Sequence, residues 1–239
     1  ASIVISKKIG VKAKYIYSTN YKRLYSDVRA QLFDLLNFSE ISKYVMDGSI
    51  PKIGHSFAKS IMKCITSFTS LKEYLYLHNF SGRIQTCPDP VYFHNAPQYW
   101  IRAMDFAPYF WNERDGEQIS TQVKELHLPT KIDASVVVAI LNSSLFYWWF
   151  IILSDCRHLN LREIENFPVG LEKMPGETKQ KLAELSKILM NDLQRYAQRK
   201  ECINKATGKV VYDEFYPKYS KPIIDEIDKV LAQHYGFTD

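Results

Sequence analysis

Apolar positions recur along this chain with two periods. Near the N-terminus Ile3, Ile5, Val11, Ala13, Tyr15 and Tyr17 alternate with polar residues on either side of Lys7-Lys8-Ile9-Gly10, which predicts a hairpin over 3–17. Val28, Leu32, Leu35 and Leu36 share one face of a helix predicted over 24–36. Gly48, Pro51 and Gly54 break regular structure, and beyond them Phe57, Ile61, Ile65, Phe68, Leu71 and Leu75 predict one amphipathic helix over 56–77. From 81 to 130, prolines at 88, 90, 97, 108 and 129 separate short aromatic runs such as Val91-Tyr92-Phe93 and Tyr99-Trp100-Ile101, the texture of short strands and loops.

The second half reads mainly as helix. Residues 160–166 predict a brief helical turn ending before Pro168, and 177–200 a long amphipathic helix through Leu182, Leu185, Ile188, Leu189 and Leu193. Thr207-Gly208 turns the chain into Val210-Val211-Tyr212. Pro222 and Gly236 bracket a last helix over 221–234, proline in the first turn and glycine past the end. Between these lies Val136 to Leu153, eighteen residues without a charge, long enough to raise a membrane span. Asn142, Ser143 and Ser144 interrupt it near the middle, and the other apolar stretches are amphipathic, so a central apolar helix of a packed core is expected instead, capped by Asp133. The fold class is α+β: short strands in a mixed sheet region packed with several long helices, one of them central and apolar.

Composition adds a partner class. The 239 residues carry 31 basic and 26 acidic side chains, and 46% are apolar, so a real core is available. Residues 1–110 hold 14 basic against 7 acidic groups, and a surplus of that sign favours a polyanion such as nucleic acid. Cys64, Cys87, Cys156 and Cys202 are far apart with no Cys-x-x-Cys pair, so neither zinc nor disulfides are indicated, and reduced, mostly buried thiols with a cytoplasmic address are expected. No charged-then-apolar signal segment opens the sequence.

Catalytic signatures are sparse. None of the nine glycines forms a Gly-x-Gly turn, so no cofactor is expected on these residues. Asp89-Pro90-Val91-Tyr92 only approaches the Asp/Asn-Pro-Pro-Tyr/Phe motif of amino-methyltransferases, because Val91 replaces the proline that makes the backbone rigid. An Mg²⁺ nuclease using Asp89 would need an acid-x-Lys partner, and Glu177-Thr178-Lys179 lies far away inside a predicted helix. His94, His127 and His158 read as structural residues or phosphate contacts. What remains is a basic and aromatic set: Lys52, Arg83, Tyr92, Tyr99, Trp100, Arg102, Lys124 and the stretch from Ser154 to Arg162 containing Arg157, His158 and Asn160. Arg and Lys neutralise phosphates, Arg also pairs with guanine, aromatic rings stack on bases or brace the backbone, and Asn142 or Asn160 has the groups to pair with adenine.

Four stretches in series resemble one family. Ile50-Pro51-Lys52-Ile53, Ile140 to Phe146, the blocks Arg157-His158-Leu159 and Ile164 to Pro168, and Ser220 to Asp228 with His234 to Phe237 resemble the C-terminal part of Eco57I-type adenine-N6 DNA methyltransferases of restriction-modification systems, including the TaqI-like specificity domain. The resemblance implies a remnant of the methyltransferase domain over 1–45, a target recognition domain over 46–170 and a helical support over 171–239. It implies a module that grips duplex DNA and selects a site, while a catalytic domain outside these residues uses S-adenosylmethionine to methylate an adenine turned out of the stack. No catalysis is expected from these residues. The matching blocks carry Lys52, Asn142, Ser143, Ser144, Arg157, His158 and Arg162 as DNA contacts. A nuclease fragment, or a scaffold that docks a protein with little DNA contact, stands as the alternative.

Overall fold

The structure, a computed structural model, describes residues 14–22, 25–46, 48–75, 89–97 and 100–237. Most of the hairpin expected over 3–17 lies outside them. The chain divides into two units between Met62 and Lys63.

In the first unit β1 (Tyr17–Thr19) and β2 (Phe38–Glu40) pair antiparallel, Ser18 opposite Ser39. The Ser42 hydroxyl accepts from the Ile16 amide at 2.9 Å and Ile41 N–H donates to the Ile16 carbonyl at 2.8 Å, which extends the pairing past the ladder. The α-helix predicted over 24–36 does not form; a short 3₁₀ turn spans Ser26–Gln31. Val28, Leu32, Leu35 and Leu36 are only half-buried, so packing gives little to offset the cost of nucleating a helix. A Cβ at Gly54 would stand 2.6 Å from the Asn20 amide nitrogen and 2.8 Å from the Asn37 carbonyl oxygen, so only glycine lets this segment lie against the end of the ladder.

From there α1 (Ser56–Ile65) carries the chain into the second unit, burying Ala58, Met62 and Ile65. It stops twelve residues short of the helix expected over 56–77. The Ser67 hydroxyl turns back to the Cys64 carbonyl at 2.8 Å, the local competition that hydroxyl side chains offer a helix. Tertiary pairing then takes the backbone: Leu71 N–H donates to the Phe167 carbonyl at 2.8 Å, and the Thr69 carbonyl accepts from Val169 and Gly170 at 2.9 Å each.

The second unit holds two antiparallel sheets. β3 (Val91–His94) lies between β4 (Ala103–Met104) and β7 (Val123–Leu126), while β5 (Phe110–Asn112) and β6 (Gly116–Glu117) join a later hairpin. Every ladder among the described residues is antiparallel, so the sheet region is not mixed.

The apolar run is two helices, α2 (Lys131–Leu141) and α3 (Ser144–Leu153), bent by 66° at the interruption, and not the single central helix expected. Thr130 caps α2, three residues before the expected Asp133: its hydroxyl accepts from Asp133 N–H at 3.1 Å and donates to the Asp133 carboxylate at 2.6 Å. Val136 to Leu141 are wholly buried, and α2 packs chiefly on α5. Among the described residues no single helix is long and apolar enough to cross a membrane.

Beyond α3, α4 (Leu161–Glu165) is the expected short turn. Next, α5 (Gly176–Tyr196) buries Leu182, Leu185, Leu189 and Leu193 but leaves Ile188 exposed. It ends before the expected residue 200 because the following residues enter β8 (Gln198–Asn204), which pairs with β9 (Gly208–Glu214). There the Arg199 guanidinium forks onto Asp213 at 2.8 and 3.1 Å. Finally α6 (Lys221–Tyr235) starts with Pro222 and ends at Gly236, whose φ of +68° suits glycine. Of the cysteines, Cys64 and Cys156 are half-buried, Cys202 is exposed against expectation, and Cys87 lies outside the described residues.

Asn142 closes the bend between α2 and α3. Its side-chain amide donates to the carbonyls of Ala103 at 2.7 Å and Val138 at 2.8 Å, and its oxygen accepts from Ala103 N–H at 3.4 Å. Asn142→Ala leaves these buried groups unmet and is expected to cost about 3 kcal/mol, read as a lower urea midpoint with an unchanged m-value.

Candidate nucleic-acid interface

The C-terminal end of β3 is a junction of three segments. His94 N–H donates to the Arg102 carbonyl at 3.2 Å, Asn95 N–H to the Gln122 carbonyl at 2.8 Å, and the Asn95 carbonyl accepts from Leu159 N–H at 2.9 Å. These bonds tie together the approach to β4 with Trp100 and Arg102, the approach to β7 with Lys124, and the loop bearing Arg157, His158, Asn160 and Arg162. The segments that carry seven of the residues read from the sequence are thus joined at His94 and Asn95, and that reading did not single out Asn95.

The loop after α3 is held by its own polar side chains. Ser154, buried at the end of α3, accepts from Cys156 N–H at 2.9 Å. Cys156 adopts φ +59°, a left-handed conformation unusual for a side-chain-bearing residue. One Asp155 oxygen accepts from both Arg157 N–H and His158 N–H at 2.8 Å, and the other lies 3.3 Å from His158 Nδ1. Burial pushes the Asp155 carboxyl up, but the two amide bonds outweigh it and its pKa is lowered. Leu159 is buried as the plug beneath, while Arg157, His158 and Asn160 face solvent.

Glu163 performs the same service one turn on. Its carboxylate accepts from Asn160 N–H at 2.9 Å, half of a capping box, and from the Arg162 guanidinium at 2.9 Å. The Glu163 side chain is 1% exposed and Arg162 53%, so the arginine presents its outer edge while the acid stays underneath. The Glu163 carbonyl accepts from Trp149 Nε1 at 2.9 Å, and Trp149 packs edge-on to Phe167. The Asn-x-x-Glu spacing of this box is legible in the sequence, as is an Asp two residues before Arg157.

Arg102, before β4, is half-buried; burial lowers its pKa and Glu214 acts in the opposite sense. Burial, with the Arg102 cation second, holds His94 down to about 4, and its Nδ1 accepts from Ala96 N–H at 3.2 Å, which fixes the neutral ring with its proton on Nε2. Trp100 lies against Tyr147 with ring centroids 4.9 Å apart, and its indole N–H is buried with no hydrogen-bond partner among the described residues. Tyr92 is half-buried, and burial and then Glu125 raise its pKa. Lys124 is exposed on β7 opposite Phe93.

The remaining sequence-read residues sit elsewhere. Asn142 is consumed within the core as described. Ser143, wholly buried, caps α3 by accepting from Phe146 N–H at 3.1 Å and donates to the Ile140 carbonyl at 2.6 Å. Ser144 N–H donates to Asp228 at 2.8 Å, an acid on α6 whose pKa burial raises. Lys52 is half-buried in the first unit. Arg83 and Tyr99 lie outside the described residues.

Asp89 pairs with Lys131 at 3.3 Å, and Lys179 of the Glu177-Thr178-Lys179 stretch with Asp133 at 3.0 Å. Among the described residues no group of three or more His, Cys, Asp or Glu side chains is arranged to hold a metal ion. No family model, curated protein or solved structure matches this chain.

The His94 ring supplies a pH test. An unfolded chain takes up a proton below about 6.5 that the folded ring refuses until about 4, so this group removes stability as the pH falls across that interval. The urea midpoint is expected to drop between pH 6.5 and 4.5, and His94→Gln to flatten that drop.

Proposed function

We propose that this chain is a double-stranded DNA target-recognition module of a restriction-modification adenine-N6 methyltransferase, which positions the adenine for a catalytic domain outside these residues. The observation that carries the reading is the 155–162 loop. Its backbone groups are met by Asp155 and Glu163, so Arg157, His158, Asn160 and Arg162 face outward from a rigid loop bonded to the end of β3.

Such a loop meets DNA at a low entropic cost of ordering. Exposed arginines supply phosphate contacts and paired bonds to guanine, Asn160 offers the donor and acceptor that match adenine, and Lys124 adds an exposed cation on β7. The basic surplus of residues 1–110 adds a long-range attraction for the same polyanion. Asn142 and Ser143 serve this reading as scaffold, through the bend that ends α2 and starts α3. S-adenosylmethionine belongs to the proposed catalytic domain, and we assign no cofactor to these residues.

Duplex binding by the chain is expected to weaken linearly on a log–log plot against salt. Arg157→Ala with Arg162→Ala should weaken it about tenfold at low salt and reduce the slope by roughly 2, near 0.9 for each lost phosphate contact. Fluorescence anisotropy on a labelled duplex reads both, and an unchanged slope would remove the loop from the interface. Incubation with plasmid and Mg²⁺ is expected to give no cleavage by this chain or by Asp89→Ala; cleavage lost in the variant would favour a nuclease.

A further inference from the structure

The first unit leaves aromatic rings in solvent. Tyr17 is 60% exposed, Tyr21 51%, Phe38 59% and Phe57 70%, and Ile50 is the one comparably exposed large aliphatic residue among the described residues of this unit. Single exposed rings are ordinary, but a group of this density on a small unit marks a contact surface.

Their placement is specific. On the β1–β2 ladder Thr19 faces Phe38 and Tyr17 faces Glu40, so Tyr17 and Phe38 share one face as diagonal neighbours. Such neighbours stand about 7 Å apart, about twice the 3.4 Å rise of stacked bases, a spacing that admits one base between two rings. Gly54 lies against Asn20 and Asn37, the residues just before Tyr21 and Phe38, and Phe57 follows three residues on, in the first turn of α1. Glu40 on the ladder face is lowered in pKa by its bonds from Ser42 and, further, by Lys59 and Lys43. Two cations therefore outnumber the one acid beside Tyr17.

We propose that this face binds single-stranded nucleic acid, its rings stacking on unpaired bases while Lys43 and Lys59 neutralise phosphates. The predominance of aromatic over aliphatic side chains favours bases over an apolar protein surface, and the local excess of cations favours a polyanion. Paired bases in a duplex offer their faces only to each other, so the rings select unpaired strands. This surface lies in the first unit and is independent of the duplex-binding loop in the second.

The test uses the full chain and fluorescein-labelled dT15 and U15 at low salt, read by anisotropy. Wild type is expected to bind, Tyr17→Ala with Phe38→Ala to weaken binding about tenfold or more, and Tyr17→Phe with Phe38→Tyr to restore it. The alanine pair should leave duplex binding intact, and Arg157→Ala with Arg162→Ala should leave dT15 binding intact, so the two readings fail separately. The U15 arm shows whether RNA serves as well as DNA, and binding of either strand supports the proposal. Absence of binding to both, or equal binding by the alanine pair, overturns it. A wild-type dimer in sedimentation that the alanine pair disperses also overturns it, in favour of self-association.

Discussion

An amide buried in an apolar helix pair is tolerated only if it recovers the hydrogen bonds it gave up to water, and Asn142 recovers them by clamping Ala103. That clamp decides much of the second unit. It stops α2 and holds the β4 edge of the three-stranded sheet against it, while Ser143 opens α3 in a new direction and Ser144 engages Asp228 of α6. Three consecutive polar residues thus connect two helices, a strand and the C-terminal helix. An uninterrupted apolar helix through the same residues would carry α3 straight on, and the loop after it would begin elsewhere.

The same economy shapes the loop itself. The acids are engaged locally: Asp155, itself exposed, accepts from the amides of its own turn, and the buried Glu163 accepts from the Asn160 amide and the Arg162 guanidinium. Arg157, His158 and Arg162 stand in solvent with Asp155, while Glu163 lies underneath. Counting charges along the sequence misses this separation, because it depends on which way each carboxylate points. His94 shows the limit of charge counting, since burial, with the Arg102 cation second, suppresses protonation of its ring and keeps it an uncharged structural member.

Legibility followed the reach of the interactions. The last helix, the 160–166 turn and the Val210 strand were readable because proline, glycine and local periodicity act within a few residues. The 56–77 helix was overestimated because its periodicity continues through Phe68 and Leu71, while the backbone of 67–71 pairs with residues 167–170, a hundred positions away. The 24–36 helix was overestimated for the opposite reason: its apolar face has the right spacing but little to pack against. At the candidate site, the arginines and Asn160 were legible as residue types. Asn95 was not, because its contribution is a main-chain amide and carbonyl. Asn142, Ser143 and Ser144 were noticed as an interruption, yet whether a polar break faces a ligand or a neighbouring strand depends on Ala103, about forty residues earlier.

Selection and attraction place different demands on a protein surface. Selection needs side chains fixed to within a fraction of an ångström, and the proposed recognition loop has its Cys156 to Asn160 amides met and Leu159 buried beneath it. Attraction needs only charge and reach, which suits the N-terminal half, where the basic surplus is spread over many lysines. In the proposed single-strand site, rings beside lysines would add contact without a fixed register, because every unpaired base has a face to stack on. On the proposed readings affinity and specificity come from separate residues, so each can change without loss of the other.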